Sequence, residues 1–245
     1  MLMETQHPEV NKVMEDLILR MINDPINNPV ISDTIIREYN NRGLLVEEPL
    51  EDHQVQANSI DLTLGHTWKL LLPNAIYFGK ESMEIGSERH MSFRDQYPEL
   101  VLGDGLEIID PRFPMRFKQG RFNEKGYLVD PGQFVLFGTK ETLNIPQGIV
   151  TIICGRSSIA RLGIQTEQAG FVDAGFRGTI TLEVHNQTEI PIILYPGMRV
   201  AQAYSIKAQY AERLYGKALG SKYKDQVDAT ESKAHLDKEF NSGGQ

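Results

Sequence analysis

Two neighbouring segments of this 245-residue chain carry the side chains best suited to chemistry. In GRSSIARLG, Arg156, Ser157 and Ser158 offer a guanidinium, two hydroxyls and N–H groups at a predicted helical turn, and Arg161 follows Ser157 by one turn. Such groups bind phosphate. Taken alone, the segment is explained equally well by a pair of structural arginines.

The second segment, GTITLEVHN, alternates apolar and polar residues and therefore predicts a strand with one apolar face. Ile180, Leu182 and Val184 form that face, and Glu183 looks away from it. A carboxylate that faces a partly closed cleft loses solvent, which suits a general base that must later return its proton. From the strand alone, a solvated polar face is the simpler interpretation.

Other kinds of catalytic site are excluded by motif. The chain has no GxxxxGK[ST] loop and no GxSxG elbow, which argues against a P-loop NTPase and a serine hydrolase. Its six histidines show no HExxH spacing, and a zinc deaminase signature cannot be built from one cysteine, Cys154. We therefore expect no zinc.

The amino-acid composition of the chain limits which ligands it can bind and where it is expected to be found. The formal net charge of -8 argues against broad nucleic-acid binding, so a polyanionic ligand must meet a local basic cluster. A single cysteine allows no disulfide within the chain, which favours a cytoplasmic location. The first residues lack the pattern of a leader, and no apolar run approaches the roughly 20 residues of a membrane span. We expect a protein that is neither exported nor inserted in a membrane.

Residues 1–43 predict helices, and the later residues predict strands. Apolar residues from Pro8 to Ile22 recur every three or four positions, as in an amphipathic helix, and a short second helix is expected between Ser32 or Asp33 and Gly43. Short alternating runs then predict an all-β sandwich, jelly roll or small barrel. Pro131-Gly132 and Pro196-Gly197 each suit a type II turn.

Two regions depart from the strand pattern. Residues from about 74 to 125 are polar and irregular, and we interpret them as an insertion on the β core. Beyond Tyr210 apolar residues become rare, so this tail is expected to be mobile unless something orders it.

Six motifs, in order, resemble the dCTP deaminase family, which belongs to the trimeric dUTPase-like superfold. They are NSIDLTLG, GYLVDPGQFVLFGTKETLNIP, GRSSIARLG, AGFVDAGFRGTITLEVHN, YPGMRVAQ and SKYKDQ. The resemblance implies a mainly β protein with a dUTPase-like β-clip, or distorted jelly-roll barrel. Residues 1–28 would form an N-terminal helical extension, 29–210 the β core and 211–245 a tail that closes over nucleotide.

The resemblance also implies the catalytic roles. Glu183 stands where dUTPases usually have an aliphatic residue. It would take a proton from a water that attacks C4 of cytosine and deliver it towards N3 and the departing ammonia. Ser157 and Arg161 would hold that water and stabilise the tetrahedral centre.

The remaining implied contacts bind the substrate. Arg156, Ser157 and Ser158, with Arg161, match the triphosphate loop, whereas Asp173 and the backbone around Thr181 and Leu182 match the part that meets sugar and base. The tail motif of the family corresponds here to Tyr215, Lys222, Tyr223 and Gln226. Mg²⁺ would arrive on the triphosphate, and the homotrimer would combine residues of adjacent subunits in each active site.

Asp61 and Gln202 also lie in matching motifs. We assign Asp61 a structural or supporting role, whereas for Gln202 a nucleotide contact and a structural role are equally good interpretations.

Three functions remain open. Our main expectation is a dCTP deaminase that releases dUTP and ammonia. The alternative is a bifunctional deaminase and diphosphatase that releases dUMP and pyrophosphate, and a third is a nucleotide-binding regulator with the same fold. The segment IQTEQAG is shorter than its family counterpart and lacks its histidine and threonine, so inhibition by dTTP is left open.

Overall fold

The computed structural model describes residues 29–71, 117–167, 170–216 and 219–241, and this part of the chain is mainly β. Its strands are β1 (Leu45–Val46), β2 (Ile60–Leu71), β3 (Phe117–Arg121), β4 (Tyr127–Val129), β5 (Phe134–Asn144), β6 (Ile149–Gly155), β7 (Ile164–Glu167), β8 (Phe171–Val172), β9 (Arg177–Asn186), β10 (Ile192–Leu194) and β11 (Arg199–Lys207). Each predicted strand run is confirmed, because alternation is a local property of the residues themselves.

Nine of these strands form one sheet in the order β7-β9-β5-β2-β11-β6-β8, in which β1 pairs with β5 and β3 pairs with β2. All strand pairs in it are antiparallel, and β10 and β4 make a separate two-stranded sheet. Inward-facing aliphatic side chains such as Leu62, Leu64 and Leu182 fill the core together with the fully buried ring of Phe137. The sheet thereby places β9 beside β5 and β7.

Helices are few among the described residues: α1 (Asp33–Asn40), α2 (Ser157–Ala160) and α3 (Lys238–Asn241), with short 3₁₀ turns at Asp52–Gln54 and Ala234–Leu236. The prediction for α1 is confirmed. Ser32 precedes it in extended conformation, and Gly43 follows with φ of +67°. None of these helices is long and apolar enough to cross a membrane.

Both predicted Pro-Gly turns are confirmed. Gly132 and Gly197 have φ of +70° and +78°, which is the positive φ that the third position of a type II turn requires. The closing hydrogen bonds, from Gln133 N to the Asp130 carbonyl and from Met198 N to the Tyr195 carbonyl, measure 3.0 and 3.2 Å.

The region expected to be irregular up to about residue 125 contains strand β3, so that expectation was wrong for Phe117–Arg121. These residues pair with Thr67–Leu71 of β2. Their side chains are exposed or half-buried, so the strand lacks the clean apolar alternation that would have revealed it. The part of that region before Phe117 and the predicted helix from Pro8 to Ile22 lie outside the described residues.

Candidate active site

A cavity of 470 Å³ lies between β9 and the C-terminal tail. Its wall is largely apolar and includes the rings of Phe117, Phe134, Phe171 and Phe176. It brings together six of the predicted site residues, which lie far apart in sequence: Asp173, Thr181, Glu183, Tyr215, Tyr223 and Gln226. An apolar pocket with a few convergent polar groups is the usual form of a small-molecule site.

Glu183 reaches this cavity from the middle of β9. It is half-buried, and its Cα lies opposite Leu136 of β5 and Glu167 of β7, so strands on both sides hold its backbone in place. Thr181 lines the cavity as well, two residues earlier on the same face.

The alternation predicted for β9 fails at one residue. Ile180, which we expected on the apolar face, also lines the cavity. The pairing of β5 with β9 shifts register between Gly138 and Thr142, and such an irregularity locally disrupts the regular alternation of faces. Leu182 remains in the core at 2% exposure, so only its backbone is available to a ligand.

The C-terminal tail, which we expected to be mobile unless ordered, folds onto β9. Gln226 makes a parallel bridge with Gly178, and its amide Nε2 donates a 2.7 Å hydrogen bond to the Thr179 carbonyl. Because the amide is held in this way, the Gln226 Oε1 acceptor is buried, and it has no hydrogen-bond partner among the described residues. Gln226 itself lines the cavity, and a ligand donor that reached this acceptor would satisfy it.

The hydroxyls of Tyr215 and Tyr223 link separate parts of the tail by accepting backbone hydrogen bonds. Tyr223 N donates to the Tyr215 hydroxyl at 3.3 Å, and Lys233 N donates to the Tyr223 hydroxyl at 2.8 Å. Burial raises the pKa of Tyr215, although the hydrogen bond from the Tyr223 backbone opposes this shift. The phenol is therefore protonated at neutral pH and can donate a hydrogen bond at the cavity wall.

Residues after the tail motif also line the cavity, and sequence reasoning missed them: Thr230, Glu231 and Ser232. The Thr230 N–H donates a 2.9 Å hydrogen bond to the Thr181 hydroxyl. Glu231 pairs with Lys69 of β2. Partial burial raises the pKa of Glu231, but the Lys69 hydrogen bond and nearby positive charges outweigh this, so the net pKa is lowered and the carboxylate stays ionised.

The segment predicted to bind phosphate, residues 156–161, does not line the cavity, and we call it the phosphate loop. Ser157 begins α2, Arg156 directly precedes it, and the Arg161 N–H bonds to the Ser157 carbonyl at 3.0 Å, which confirms the predicted helical turn. Ser157, Ser158 and Arg161 are exposed, and neither they nor Arg156 line the cavity.

Arg156 is anchored by Asp61, whose side chain has no solvent exposure. The Arg156 Nε lies 3.3 Å from Asp61 Oδ1, and Arg199 Nη1 lies 3.0 Å from Oδ2. Gln202 Nε2 donates to Oδ1 at 3.1 Å. These contacts agree with the structural role assigned to Asp61 and make the structural interpretation of Gln202 the better one.

The phosphate loop, residues 156–161, lies away from the cavity of the same chain. On β2, Asp61 and the cavity residue Leu71 are separated by about 30 Å of extended chain. On β6, Thr151 lies opposite Val172 of the cavity wall, and Gly155, which leads into the loop, lies about 13 Å further along the strand. The structure therefore brings together the base-side and tail residues but not the phosphate loop.

Lys222 is the one residue of the predicted tail motif that does not line the cavity. Its Nζ instead contacts both carboxylate oxygens of Asp237.

Comparison with known proteins identifies the fold and then the family. The solved dCTP deaminase from Agrobacterium tumefaciens superimposes with a TM-score of 0.50 at 20% identity, over 74% of this chain and 48% of that one. The predicted dUTPase-like β fold is thereby confirmed.

The family model described as dCTP deaminase-like matches residues 30–204. Proteins named dCTP deaminase, dUMP-forming, from Sulfurihydrogenibium sp. and Dictyoglomus thermophilum are 36% and 37% identical, over 86% and 85% of this chain and 99% and 96% of their own length. The chain belongs to the dCTP deaminase-like family of enzymes.

Gly178 is required where the tail meets β9. Its φ is +142°, and an added Cβ would lie 2.8 Å from the Gln226 carbonyl oxygen. We expect Gly178→Ala to displace the tail and make its lysines about tenfold more susceptible to trypsin, because the docked state loses roughly 1.4 kcal/mol or more. Limited proteolysis followed by mass spectrometry measures this.

Gly197→Ala is the matched control. Gly197 also has positive φ, at +78°, but an added Cβ meets no atom within 4 Å. Equal cleavage of the tail in both variants would contradict the docking role of Gly178.

Proposed function

We propose that this chain is a bifunctional dCTP deaminase and dUTP diphosphatase that converts dCTP and two water molecules to dUMP, pyrophosphate and ammonia. The observation that carries the proposal is the similarity, at 34–37% identity and over nearly their full length, to several proteins named dUMP-forming. These names favour the bifunctional alternative over our main expectation, in which dUTP is the product.

The deamination step would use Glu183. Glu183 takes one proton from a water held beside it as the water oxygen attacks C4 of the cytosine ring, and it passes that proton to N3. The second proton of the water then moves through the carboxylate to the amine, which leaves as ammonia. One water is consumed and one ammonia is released, which leaves uracil. The largely apolar wall supports this role, because a carboxylate is a stronger base where bulk water is excluded.

The base and sugar would bind along β9 and the tail. Thr181, the backbone near Leu182 and the unpaired Gln226 oxygen provide donors and acceptors for the ring, and Asp173 is the group expected to meet the sugar. Tyr215 and Tyr223 would close the cavity from the tail side. Exclusion of water by such a closure also protects the reacting centre.

The triphosphate would meet Arg156, Ser157, Ser158 and Arg161. Mg²⁺ would enter with the nucleotide, whose phosphate oxygens are hard ligands that suit it. Within the described ranges, no group of three or more His, Cys, Asp or Glu side chains is placed to hold a metal ion. The bound ion would neutralise phosphate charge.

A homotrimer would complete each site. The phosphate loop lies outside the cavity of its own subunit because the buried Asp61 anchors Arg156 there. A neighbouring subunit could present its loop to the cavity, and closed symmetric rings reproduce such a contact at every interface. This arrangement would combine Glu183 of one subunit with Ser157 and Arg161 of the next.

Product analysis tests the overall reaction. Purified protein incubated with dCTP and Mg²⁺ should yield dUMP, pyrophosphate and ammonia in equal amounts, as resolved by ion-exchange chromatography and an ammonia assay. Accumulation of dUTP would instead support the deaminase that stops there, and binding without turnover of dCTP or dUTP would support the regulator.

Glu183→Gln tests the proton transfer. The variant keeps the size of the side chain but cannot accept the proton, so ammonia release should fall by about 10³-fold while the Kd for dCTP changes little. Turnover of dCTP and calorimetric titration measure the two quantities. Undiminished ammonia release would remove Glu183 from the mechanism.

Mixed oligomers test whether sites are shared between subunits. Glu183→Gln and Arg161→Ala chains are each expected to be nearly inactive, but co-expression should restore about a quarter of the wild-type activity, since one site in four then receives both intact residues. If each site lies within one subunit, every site keeps one defect and no activity returns. Mixing the two purified variants after denaturation and refolding provides an independent preparation.

A further inference from the structure

Two lysines flank the ring of Tyr223 in the tail. The Nζ atoms of Lys222 and Lys233 lie 5.8 and 5.3 Å from the ring centroid, within the range of cation–π attraction. The Lys233 Nζ also donates a 2.8 Å hydrogen bond to the Lys222 carbonyl, which holds the Lys233 side chain against the Lys222 backbone. Two positive charges are thereby concentrated beside a residue of the cavity wall.

The carboxylate of Asp237 forms an ion pair with one of these lysines, Lys222. The Lys222 Nζ lies 2.7 Å from both Oδ1 and Oδ2 of Asp237, and the two side chains retain 22% and 36% exposure. Because the pair is partly shielded from water, it is worth more than a fully exposed ion pair.

Local backbone structure presents Asp237 in this position. The 3₁₀ turn at Ala234–Leu236 brings the chain back over the tail, with hydrogen bonds of 3.0 Å from Leu236 N to the Lys233 carbonyl and 2.8 Å from Asp237 N to the Ala234 carbonyl. The contact therefore results from a folded segment that follows the tail motif.

A carboxylate and a phosphate present the same kind of partner to an ammonium group, namely anionic oxygens at hydrogen-bond distance. The triphosphate of the proposed substrate and Asp237 would thus compete for Lys222. With the geometry seen here, Asp237 takes two of the three N–H donors of the Lys222 Nζ, so at most one remains for a phosphate.

We propose that Asp237 is an internal stand-in for a substrate phosphate: it holds Lys222 beside Lys233 and is displaced when the triphosphate binds. The inference rests on the proposed function, which supplies the polyphosphate ligand. Substrate binding then exchanges one charge-assisted contact for another, so the apparent affinity for the triphosphate is lowered by the fraction of molecules in which Asp237 still holds the lysine.

Asp237→Asn tests the competition in the full-length protein. It keeps the shape of the side chain but removes its charge, so the Kd for dCTP and for inorganic tripolyphosphate should fall about fivefold, the equivalent of about 1 kcal/mol. Isothermal titration calorimetry measures both. Lys233→Met should have the opposite effect and raise both Kd values.

Asp52→Asn is the matched control, because it makes the same change in net charge at an exposed carboxylate that pairs with Arg37. Its Kd values should equal those of the wild type. Asp237→Asn should also have no effect in a Lys222→Met background, where the contested cation is gone. Unchanged or weaker polyphosphate binding in Asp237→Asn, or tighter binding that persists in the Lys222→Met background, would overturn the proposal.

The tripolyphosphate titration separates this inference from the proposed function, because it requires no turnover. A protein that fails to convert dCTP but binds tripolyphosphate more tightly after Asp237→Asn would contradict the proposed reaction and still support the stand-in. Full conversion of dCTP without the change in Kd would contradict the stand-in alone.

Discussion

The buried carboxylate of Asp61 constrains the rest of the molecule. A charge with no solvent exposure is tolerated only when it is paired, and Arg156, Arg199 and Gln202 pair with it. Because Arg156 opens the phosphate loop, this anchor also decides where the loop lies, which is outside the cavity that holds Glu183. A single chain thus carries the two parts of the proposed site in different places, and for this reason the proposed function includes a shared site between subunits.

The cavity depends in turn on the return of the C-terminal chain. Gly178 leaves room for the backbone of Gln226, and Gly138 leaves room for Ala229, whose N would lie 2.8 Å from a Cβ at that position. Strands β9 and β5 therefore have room for the tail because these two positions are glycines without side chains. The same fold-back places the segment from Thr230 to Ser232 in the cavity wall and Asp237 on Lys222. The closed cavity wall and the contact of Asp237 with Lys222 are consequences of one folded segment.

Much of the fold was predictable because it depends on neighbouring residues. The helix from Asp33 to Asn40, the Pro-Gly turns and the strand of Glu183 follow from periodicity and turn chemistry. The predictions failed where distant partners override the local pattern. Phe117–Arg121 becomes a strand because β2 provides an edge for it, and Ile180 lines the cavity beside a register shift in β5. Gly178, at the start of a predicted strand, was a signal of close backbone approach that could have been recognised.

The sequence by itself determined the kinds of element, the order of the family motifs and the side chains able to do chemistry, because each of these is written in a short stretch of residues. Only the tertiary structure decided which of those side chains meet. Arg156 binds Asp61 rather than joining Glu183, and Lys222 binds Asp237. Such contacts depend on how the sheet curls and where the tail docks, and these are properties of the whole packed chain that local periodicity does not encode.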